Sequence, residues 1–329
     1  MAETIFSQAI NDALREEMRR NPDILILGED VGMAGGVRGV TKGLWQEFGD
    51  ERVKDTPISE ATIVGVGVGC AITGLRPVVE IMYSDFLGIA MDEVMNKMAK
   101  WRYMHGSVLS VPMVLRTSCG GGFGGAAEHS QSLEALFMHI PGLQVVYPST
   151  PYDAKGLLKT ILRDNNPSLF FEHRLLYRTK GEVPAEEFTI PLGKADVKRA
   201  GSDLTLVAVG LQVLNALSAA EKLQKVGIRV RIDHHPSLKP FDRDLLYNMA
   251  SKVSCIVTLE NHCVSGGLYS LVAEALVARG IGVPVGAIGT DPDDYIHTGH
   301  VNDLLYRYKM TSDDVVEKAL ETLRIRTGS

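Results

Sequence analysis

Two side chains that can carry protons stand beside glycine-rich stretches of this sequence. Glu60 ends the phrase DTPISE, directly before a run of small residues, and His129 lies in GGAAEHSQS, just after the stretch CGGGFGG at 119–125. A carboxylate shielded from water or a histidine can exchange a proton near neutral pH. Two plainer interpretations remain open: Glu60 can favour a helix N-terminus by its charge, and His129 can be a surface or helix-end residue.

The glycine patterns do not match the common nucleotide-binding motifs. In GVGVGC (65–70), Cys70 occupies the position where G-x-G-x-x-G requires its last glycine, and no strand is predicted just before it. The stretch at 119–125 is not followed by Gly-Lys-Ser/Thr, which excludes a P-loop. The four cysteines are scattered without a Cys-x-x-Cys pair, so neither a zinc site nor a disulfide framework is expected.

The elements that would position these residues follow an alternating order. Apolar runs predict strands at 24–28, 77–82, 111–117, 143–148, 168–173, 204–210, 228–233 and 255–260. Helical periodicity predicts helices at 61–74, 85–104 and 151–164. It also predicts a helix that follows the strand at 204–210 and ends at about 225, one near 242–251 and one from 266 to 279. This alternation indicates an α/β protein with mostly parallel sheets.

A charged segment at 180–202, with several prolines and glycines, separates two such series of elements. It predicts two domains, at 1–190 and 200–329. The length of 329 residues suits two such domains, and the 45% hydrophobic content is typical of a soluble globular protein. The net charge of −6 argues against nucleic acid or an anionic membrane surface as the main partner. The apolar stretch 63–75 is interrupted by four glycines and is too short to span a bilayer, so a cytoplasmic protein is expected.

Longer blocks carry a family resemblance. DTPISEATIVGVGVGCAITGLRPVVEIMYSDF, AMDEVMNKMAKWRYM, AAEHSQS, PGLQVVYPSTPYDAKGLL and RDNNPSLFFEHRLLY resemble the β subunit of the thiamine-diphosphate-dependent decarboxylase component of 2-oxo acid dehydrogenase complexes, in the pyruvate and acetoin branches. The resemblance runs from about residue 3 to 190. It implies a thiamine-diphosphate-binding, transketolase-like pyrimidine domain in the first part of the chain.

The resemblance also implies a cofactor shared between two chains. In this family one chain binds the diphosphate and Mg²⁺ through a Gly-Asp-Gly motif, which this sequence lacks. An α subunit should therefore supply that half, in a heterotetramer of two α and two β chains whose active sites lie at α–β interfaces. The small-residue helix at 61–74 is a candidate for close contact there. A lipoyl-bearing acyltransferase core is a further expected partner.

By the same resemblance, Glu60 hydrogen-bonds a ring nitrogen of the cofactor's aminopyrimidine. Phe86 packs against that ring and Met82 lies beside it; the alternative, which competes more strongly for Met82 than for Phe86, is core packing at a strand end. His129 would lie at the mouth of the site, holding the substrate carboxylate or orienting acyl transfer to a lipoyl group. The adjacent Glu128 stands where close relatives commonly have glutamine.

Some family members hold a structural potassium ion at positions that match Met113 and the stretch ILRDNN (161–166). The resemblance implies carbonyl ligands from Met113, Ile161 and Leu162 and side-chain ligands from Asp164 and Asn166. The alternative is ordinary loop chemistry, because Asp and Asn before a proline are typical of a helix end.

The last third of the chain departs from the dehydrogenase pattern. IDHHPSLKPFD (232–242) and VTLENHCVSGGLYSLVAEAL (257–276) resemble the C-terminal domain of two-chain transketolases. His262 and the His234–His235 pair are candidates for a substrate pocket, or else solvated or hydrogen-bonded loop residues.

Three functions therefore stay open. The chain can be a dehydrogenase subunit that cleaves a 2-oxo acid or acetoin and passes the acyl group to lipoamide. It can be a transketolase subunit acting on sugar phosphates, for which Arg102, Arg116 and Arg174 are available cations. It can also be a non-catalytic interaction subunit.

Overall fold

The computed structural model describes residues 1–36, 38–121 and 125–327, apart from the side chains of residues 326 and 327. Two compact units account for the chain. The first comprises Met1–Gly120 and Leu136–Leu192, and the second comprises Gly121–Ala135 and the chain from Gly193 onward. The segment that carries His129 therefore groups with the C-terminal part of the chain. Residues 122–124 of the glycine-rich stretch lie outside the described residues.

The first unit is built on parallel strands. In chain order its elements are β1 (Ala2–Ile5), α1 (Phe6–Arg20), β2 (Ile24–Gly28), α2 (Leu44–Phe48), β3 (Val53–Asp55), α3 (Glu60–Ile72), β4 (Arg76–Ile81), α4 (Trp101–Met104), β5 (Val114–Cys119), α5 (Glu134–Met138, which begins in the second unit), β6 (Gln144–Val146), α6 (Pro151–Arg163), β7 (Ser168–His173) and β8 (Lys180–Val183).

Within this unit the strands follow the order β6-β7-β5-β4-β2-β3, and each neighbouring pair is parallel. β1 and β8 form a separate antiparallel pair. The central strands are buried along their whole length, as expected for a parallel sheet covered on both faces. They therefore appear in the sequence as continuous apolar runs such as ILILG.

The second unit repeats the α/β plan. Its elements are β9 (Asp196–Arg199), β10 (Leu204–Ala208), α7 (Gln212–Lys225), β11 (Val230–His234), β12 (Ser237–Lys239), α8 (Arg243–Ala250), β13 (Cys255–Cys263), α9 (Leu268–Ala278), β14 (Val285–Thr290), α10 (Val301–Arg307) and α11 (Ser312–Thr327). Its sheet has the order β14-β13-β10-β11-β9, in which only β9 is antiparallel to its neighbour. A buried cluster between this sheet and helices α7 and α11 forms its core.

The structure confirms most of the predicted elements, but the continuous helix predicted over 85–104 is wrong. Three short segments replace it: a 3₁₀ turn at Ser84–Gly88, a π-helical turn at Glu93–Met98 and α4. Gly88, a weak helix former, ends the first segment. The amide of Ala99 then donates to the carbonyl of Val94, an i→i+5 hydrogen bond that takes the backbone out of α-helical register.

Helix α3 packs unusually close to its sheet. A Cβ atom at Gly67 would lie 2.6 Å from Cγ2 of Val79 and 2.9 Å from Cε of Met113, so any side chain there would clash. Val66, on another side of the helix, is 48% exposed. The small residues thus have a demonstrated role inside the unit, and the role predicted for this helix at a subunit interface stays a prediction.

The structure contains no helix that is long and apolar enough to cross a membrane among the residues it describes. The four cysteines are not joined to one another in disulfides.

Candidate active site

Glu60, Met82 and Phe86, the cofactor-binding candidates of this unit, lie at the carboxyl edge of the first sheet. Glu60 follows β3, and Met82 follows β4, with Phe86 in the next turn. β3, β2 and β4 are adjacent parallel strands, so the segments after them emerge at the same edge. Ligand sites in open parallel α/β sheets form at this edge.

Glu60 is the first residue of α3, and only 7% of it is exposed. The preceding Ser59 provides no side-chain cap for the helix, and Glu60 is the acidic residue of its first turn. This position satisfies the plain interpretation of Glu60 and also leaves a shielded carboxylate at the sheet edge.

Glu29 is an acidic residue of this edge that the sequence analysis missed. It follows β2 directly, and burial raises its pKa, as do the nearby charges of Glu60, Asp30 and Glu80. The loop after it is fixed by a hydrogen bond of 2.6 Å from the amide of Gly32 to Oδ1 of Asp55. Its position immediately after a five-residue apolar strand was the available signal.

Met82 and Phe86 are both half-buried. Between them, Tyr83 places its ring under the guanidinium of Arg174, with 4.3 Å from Cζ to the ring centroid. Arg174 follows β7, is 6% exposed, and has its pKa lowered by burial. This edge therefore also contains a largely buried cation, which the sequence analysis named as one of three cations available for sugar phosphates.

Arg116 belongs to the interior of the sheet. Its Nη1 lies 2.6 Å from Oε2 of Glu80, and its Nε lies 2.8 Å from Oε1 of Glu172. The hydroxyl of Tyr177 donates to Oε2 of Glu172 at 2.8 Å. These contacts join β4, β5 and β7, and they give Arg116 a structural role.

His129 lies in a short 3₁₀ turn, Ala127–His129, of the second unit. It is half-buried, whereas Glu128 beside it is exposed. Ala126, just before the turn, has a positive φ of 59°, a conformation that costs energy for a residue with a Cβ. The structure thus places His129 with the C-terminal unit, and Glu60, Met82 and Phe86 with the first.

His234, His235 and His262 are largely shielded from solvent, which contradicts the interpretation of them as solvated residues. His234 and His235 are 0% and 1% exposed, and His235 stacks on Phe241 with 4.2 Å between ring centroids. Burial lowers the pKa of His235 to about 3, so it is neutral.

His262 is held between two carboxylates. Its Nε2 lies 3.2 Å from Oε1 of Glu134 and 3.2 Å from Oε2 of Glu260. Both carboxylates are completely buried, and 9% of the His262 side chain is exposed. Although burial opposes the charge, Glu134 and Glu260 raise the pKa of His262 to about 9.

The predicted potassium ligands surround the end of α6. The carbonyl of Met113 accepts from the amide of Ser168 at 2.9 Å, and that of Ile161 accepts from the amide of Asp164 at 3.3 Å. Oδ1 of Asp164 accepts two hydrogen bonds from Asn166, each 2.8 Å long.

Two guanidinium groups also reach these oxygens. Nε of Arg76 donates to the carbonyl of Leu162 at 2.9 Å, and Nη1 of Arg102 donates to Oδ1 of Asn166 at 2.8 Å. The carbonyl oxygens of Met113 and Leu162 retain a second lone pair, which a monovalent cation can use, whereas both lone pairs of Asp164 Oδ1 are taken by Asn166. Elsewhere, the described part of the chain has no group of three His, Cys, Asp or Glu side chains arranged to hold a metal ion.

Comparison with known proteins gives these features a context. Residues 3–180 match the family described as transketolase, pyrimidine binding domain, and residues 193–315 match transketolase, C-terminal domain. A solved structure described as a split gene transketolase, inactive beta4 tetramer, is 28% identical, with a TM-score of 0.83 over 98% of this chain and 100% of that one. The chain thus has the domain pair of transketolase-type enzymes.

Several relatives are more similar in sequence. The 2-oxoisovalerate dehydrogenase subunit beta of Bacillus subtilis is 42% identical over 97% of this chain and 98% of its own length. The acetoin:2,6-dichlorophenolindophenol oxidoreductase subunit beta of the same organism is 44% identical over 96% of each chain. The pyruvate dehydrogenase E1 component subunit beta of Staphylococcus epidermidis is 40% identical over 98% of this chain and 99% of its own.

This chain belongs to the family of β subunits of 2-oxo acid and acetoin dehydrogenases, which combine the transketolase pyrimidine and C-terminal domains. The similarity to these subunits covers nearly the whole chain and does not stop at residue 190.

Proposed function

We propose that this chain is the β subunit of a heteromeric thiamine-diphosphate enzyme that cleaves a 2-oxo acid or acetoin and passes the acyl group to lipoamide. The observation that carries the proposal is the shielded carboxylate of Glu60 at the carboxyl edge of a parallel sheet, in a chain 40–44% identical to three such subunits. The 28% identity to the split transketolase supports the transketolase alternative more weakly. A non-catalytic role is the least supported, since Glu60, Phe86 and His129 are all retained.

The residues at this edge suit an aminopyrimidine. A carboxylate can hydrogen-bond a ring nitrogen, and a half-buried aromatic side chain can pack against a flat heterocycle. We assign Glu60 to the ring nitrogen, Phe86 to the ring face and Met82 to the space beside it. When bound, thiamine diphosphate supplies the carbanion chemistry that opens the substrate's carbon–carbon bond.

Within that assignment, Glu60 holds and returns a proton at the ring nitrogen. Its shielding from water strengthens this hydrogen bond. His129, a half-buried histidine at the end of a 3₁₀ turn, holds the substrate carboxylate or orients acyl transfer to the lipoyl group.

The partner is an α subunit carrying the Gly-Asp-Gly motif, which would hold the diphosphate and Mg²⁺, in a cytoplasmic heterotetramer of two α and two β chains. Its active sites would lie at the α–β interfaces. A lipoyl-bearing acyltransferase core would receive the acyl group. The lack of Gly-Asp-Gly in this sequence and the subunit names of the relatives support this arrangement.

The test is co-expression with the Gly-Asp-Gly-bearing partner, followed by parallel assays with 2-oxo acids, acetoin and sugar phosphates. Glu60→Gln should assemble normally, lose about 100-fold or more in turnover, and slow exchange of the thiazolium proton, because a positioned acid–base group contributes this much. Glu221→Gln, an exposed carboxylate on α7, is the matched control and should change neither.

A normal proton exchange rate in Glu60→Gln would refute the role of Glu60. Turnover of sugar phosphates alone would favour the transketolase function. His129→Ala, tested in the same assays, should depress substrate use or acyl transfer and leave cofactor affinity unchanged.

The potassium site is a separate part of the proposal. Met113, Ile161, Leu162, Asp164 and Asn166 would be its ligands, and the grouping of their oxygens around the end of α6 supports it. Exchanging K⁺ for Li⁺ in the buffer should lower the thermal midpoint of the wild type but not of Asp164→Asn. Equal midpoints of the wild type in both salts would exclude the site.

A further inference from the structure

The cluster formed by His262, Glu134 and Glu260 lies away from the residues assigned above, yet it contacts the segment that carries one of them. Glu134 stands five positions after His129, at the start of α5. Glu260 and His262 both lie on β13 of the second unit. The ion pair between His262 and Glu134, 3.2 Å long, therefore ties the end of the 125–135 segment to a strand of the C-terminal sheet.

On the side away from Glu134, the cluster is closely packed and hydrogen-bonded. Oε2 and Oε1 of Glu260 accept from the amides of Leu268 and Tyr269, at 2.5 and 2.9 Å, where α9 begins. A Cβ atom at Gly267 would lie 2.0 Å from Oε2 of Glu260 and 2.4 Å from Cε1 of His262. The space around the imidazole is thus filled, and its position is fixed by β13 and by the first turn of α9.

We propose that His262 is a positioning residue that fastens the 125–135 segment to β13 through Glu134 and so sets the position of His129. A buried Glu134 carboxylate would be costly without a cationic partner. His262 is the cation found beside it, and the remaining charge that faces the imidazole is Glu260. The inference rests on the proposed function only for its consequence for catalysis.

The charge of the cluster depends on pH. Burial raises the pKa of Glu260 to about 7, so its proton is lost near neutral pH, whereas His262 keeps its proton up to a pKa of about 9. The attraction between His262 and Glu134 should therefore persist at neutral pH and disappear as the pH rises through about 9.

The structural test measures hydrogen exchange in the peptide covering 127–135, in the assembled enzyme and without substrate. In His262→Gln the protection of this peptide should fall by about tenfold or more, as for the loss of a buried ion pair. Glu134→Gln should produce the same loss from the other side of the contact. His139→Gln, an exposed histidine of the first unit, is the matched control and should leave protection unchanged.

The wild type provides a test that needs no mutation. Its protection factors for this peptide, corrected for the intrinsic exchange rate, should fall as the pH rises through about 9, and those of His262→Gln should stay low and flat. Wild-type protection that is independent of pH between 7 and 10, or full protection in folded His262→Gln, would overturn the proposal.

The catalytic consequence has its own readout. His262→Gln should lower kcat with the 2-oxo acid or acetoin and leave the affinity for thiamine diphosphate unchanged. Added to His129→Ala, it should cause no further loss of kcat, because residues acting through one another are non-additive. Fully additive losses would show that His262 does not act through His129. If Glu60→Gln fails its own test while protection still depends on His262, the proposed function falls and this inference stands.

Discussion

In both units of the protein a buried cation lies between two buried carboxylates, but the cations differ. In the first unit Arg116 lies between Glu80 and Glu172, and in the second unit His262 lies between Glu134 and Glu260. A guanidinium stays protonated at every pH at which the protein folds, and its two carboxylate neighbours raise the pKa of Arg116 further. An imidazole changes charge within the accessible range.

The two clusters also differ in what they connect. The Arg116 cluster joins adjacent strands of one sheet and includes the Tyr177 hydroxyl, so each oxygen of Glu172 is hydrogen-bonded. The His262 cluster joins a strand to a segment that lies outside regular sheet structure. A permanent charge therefore stabilises a fixed core, whereas a titratable charge is found where a functional segment is attached.

Replacing the permanent cation should have the largest effect on stability. Arg116→Met leaves the buried Glu80 and Glu172 carboxylates without their partner and should lower the free energy of unfolding by about 3–5 kcal/mol. Urea unfolding of the wild type and the variant measures this change. Arg19→Met, which removes an arginine that is 61% exposed, is the control and should cost less than about 1 kcal/mol.

A loss below about 1 kcal/mol in Arg116→Met would show that the carboxylates become protonated or hydrated at little cost. The two clusters would then differ less than their geometry indicates. Insoluble Arg116→Met with soluble Arg19→Met would agree with the expected large loss.

How much of this the sequence predicted depends on whether the signal is local. The apolar runs ILILG and SLFFEH are strands at the predicted residues, because burial on both faces leaves a continuous apolar pattern. The start of α6 was equally accessible, since Thr150 and Asp153 form a capping box around Pro151. The helix over 85–104 failed because the pattern does not distinguish an α-helical turn from a π-helical one.

The site was predictable only where the family resemblance supplied it. The resemblance, and not the local pattern, singled out Glu60, which stands among other carboxylates. Glu29 directly follows an apolar strand, but the burial and the charges of Glu60 and Glu80 that raise its pKa arise from the fold and not from the local sequence. The ion pair between Glu134 and His262 joins residues that are far apart in the sequence. The local sequence around either residue does not predict the contact with the other.

The smaller expected effect concerns the cluster of His262, Glu134 and Glu260. It is a change in how the free energy of unfolding depends on pH. The pKa of His262 is raised to about 9 in the folded protein from an ordinary value of 6.5. The charged imidazole of His262 therefore makes its full contribution to the free energy of unfolding below about pH 6.5. This contribution is lost as the pH rises through about 9. The shift corresponds to at most about 3 kcal/mol, at about 1.4 kcal/mol per pH unit.

Urea unfolding of the wild type and of His262→Gln between pH 8 and 9.5 measures this difference, because Glu260, with a pKa of about 7, is largely deprotonated above pH 8. The difference in the free energy of unfolding between the wild type and the variant should decrease steadily with rising pH. The two values should converge near pH 9.5. His139→Gln should follow the wild type throughout. A constant difference at every pH would mean that His262 stabilises the unit by packing alone, and it would then resemble the permanent cation of the first unit in lacking a response to pH.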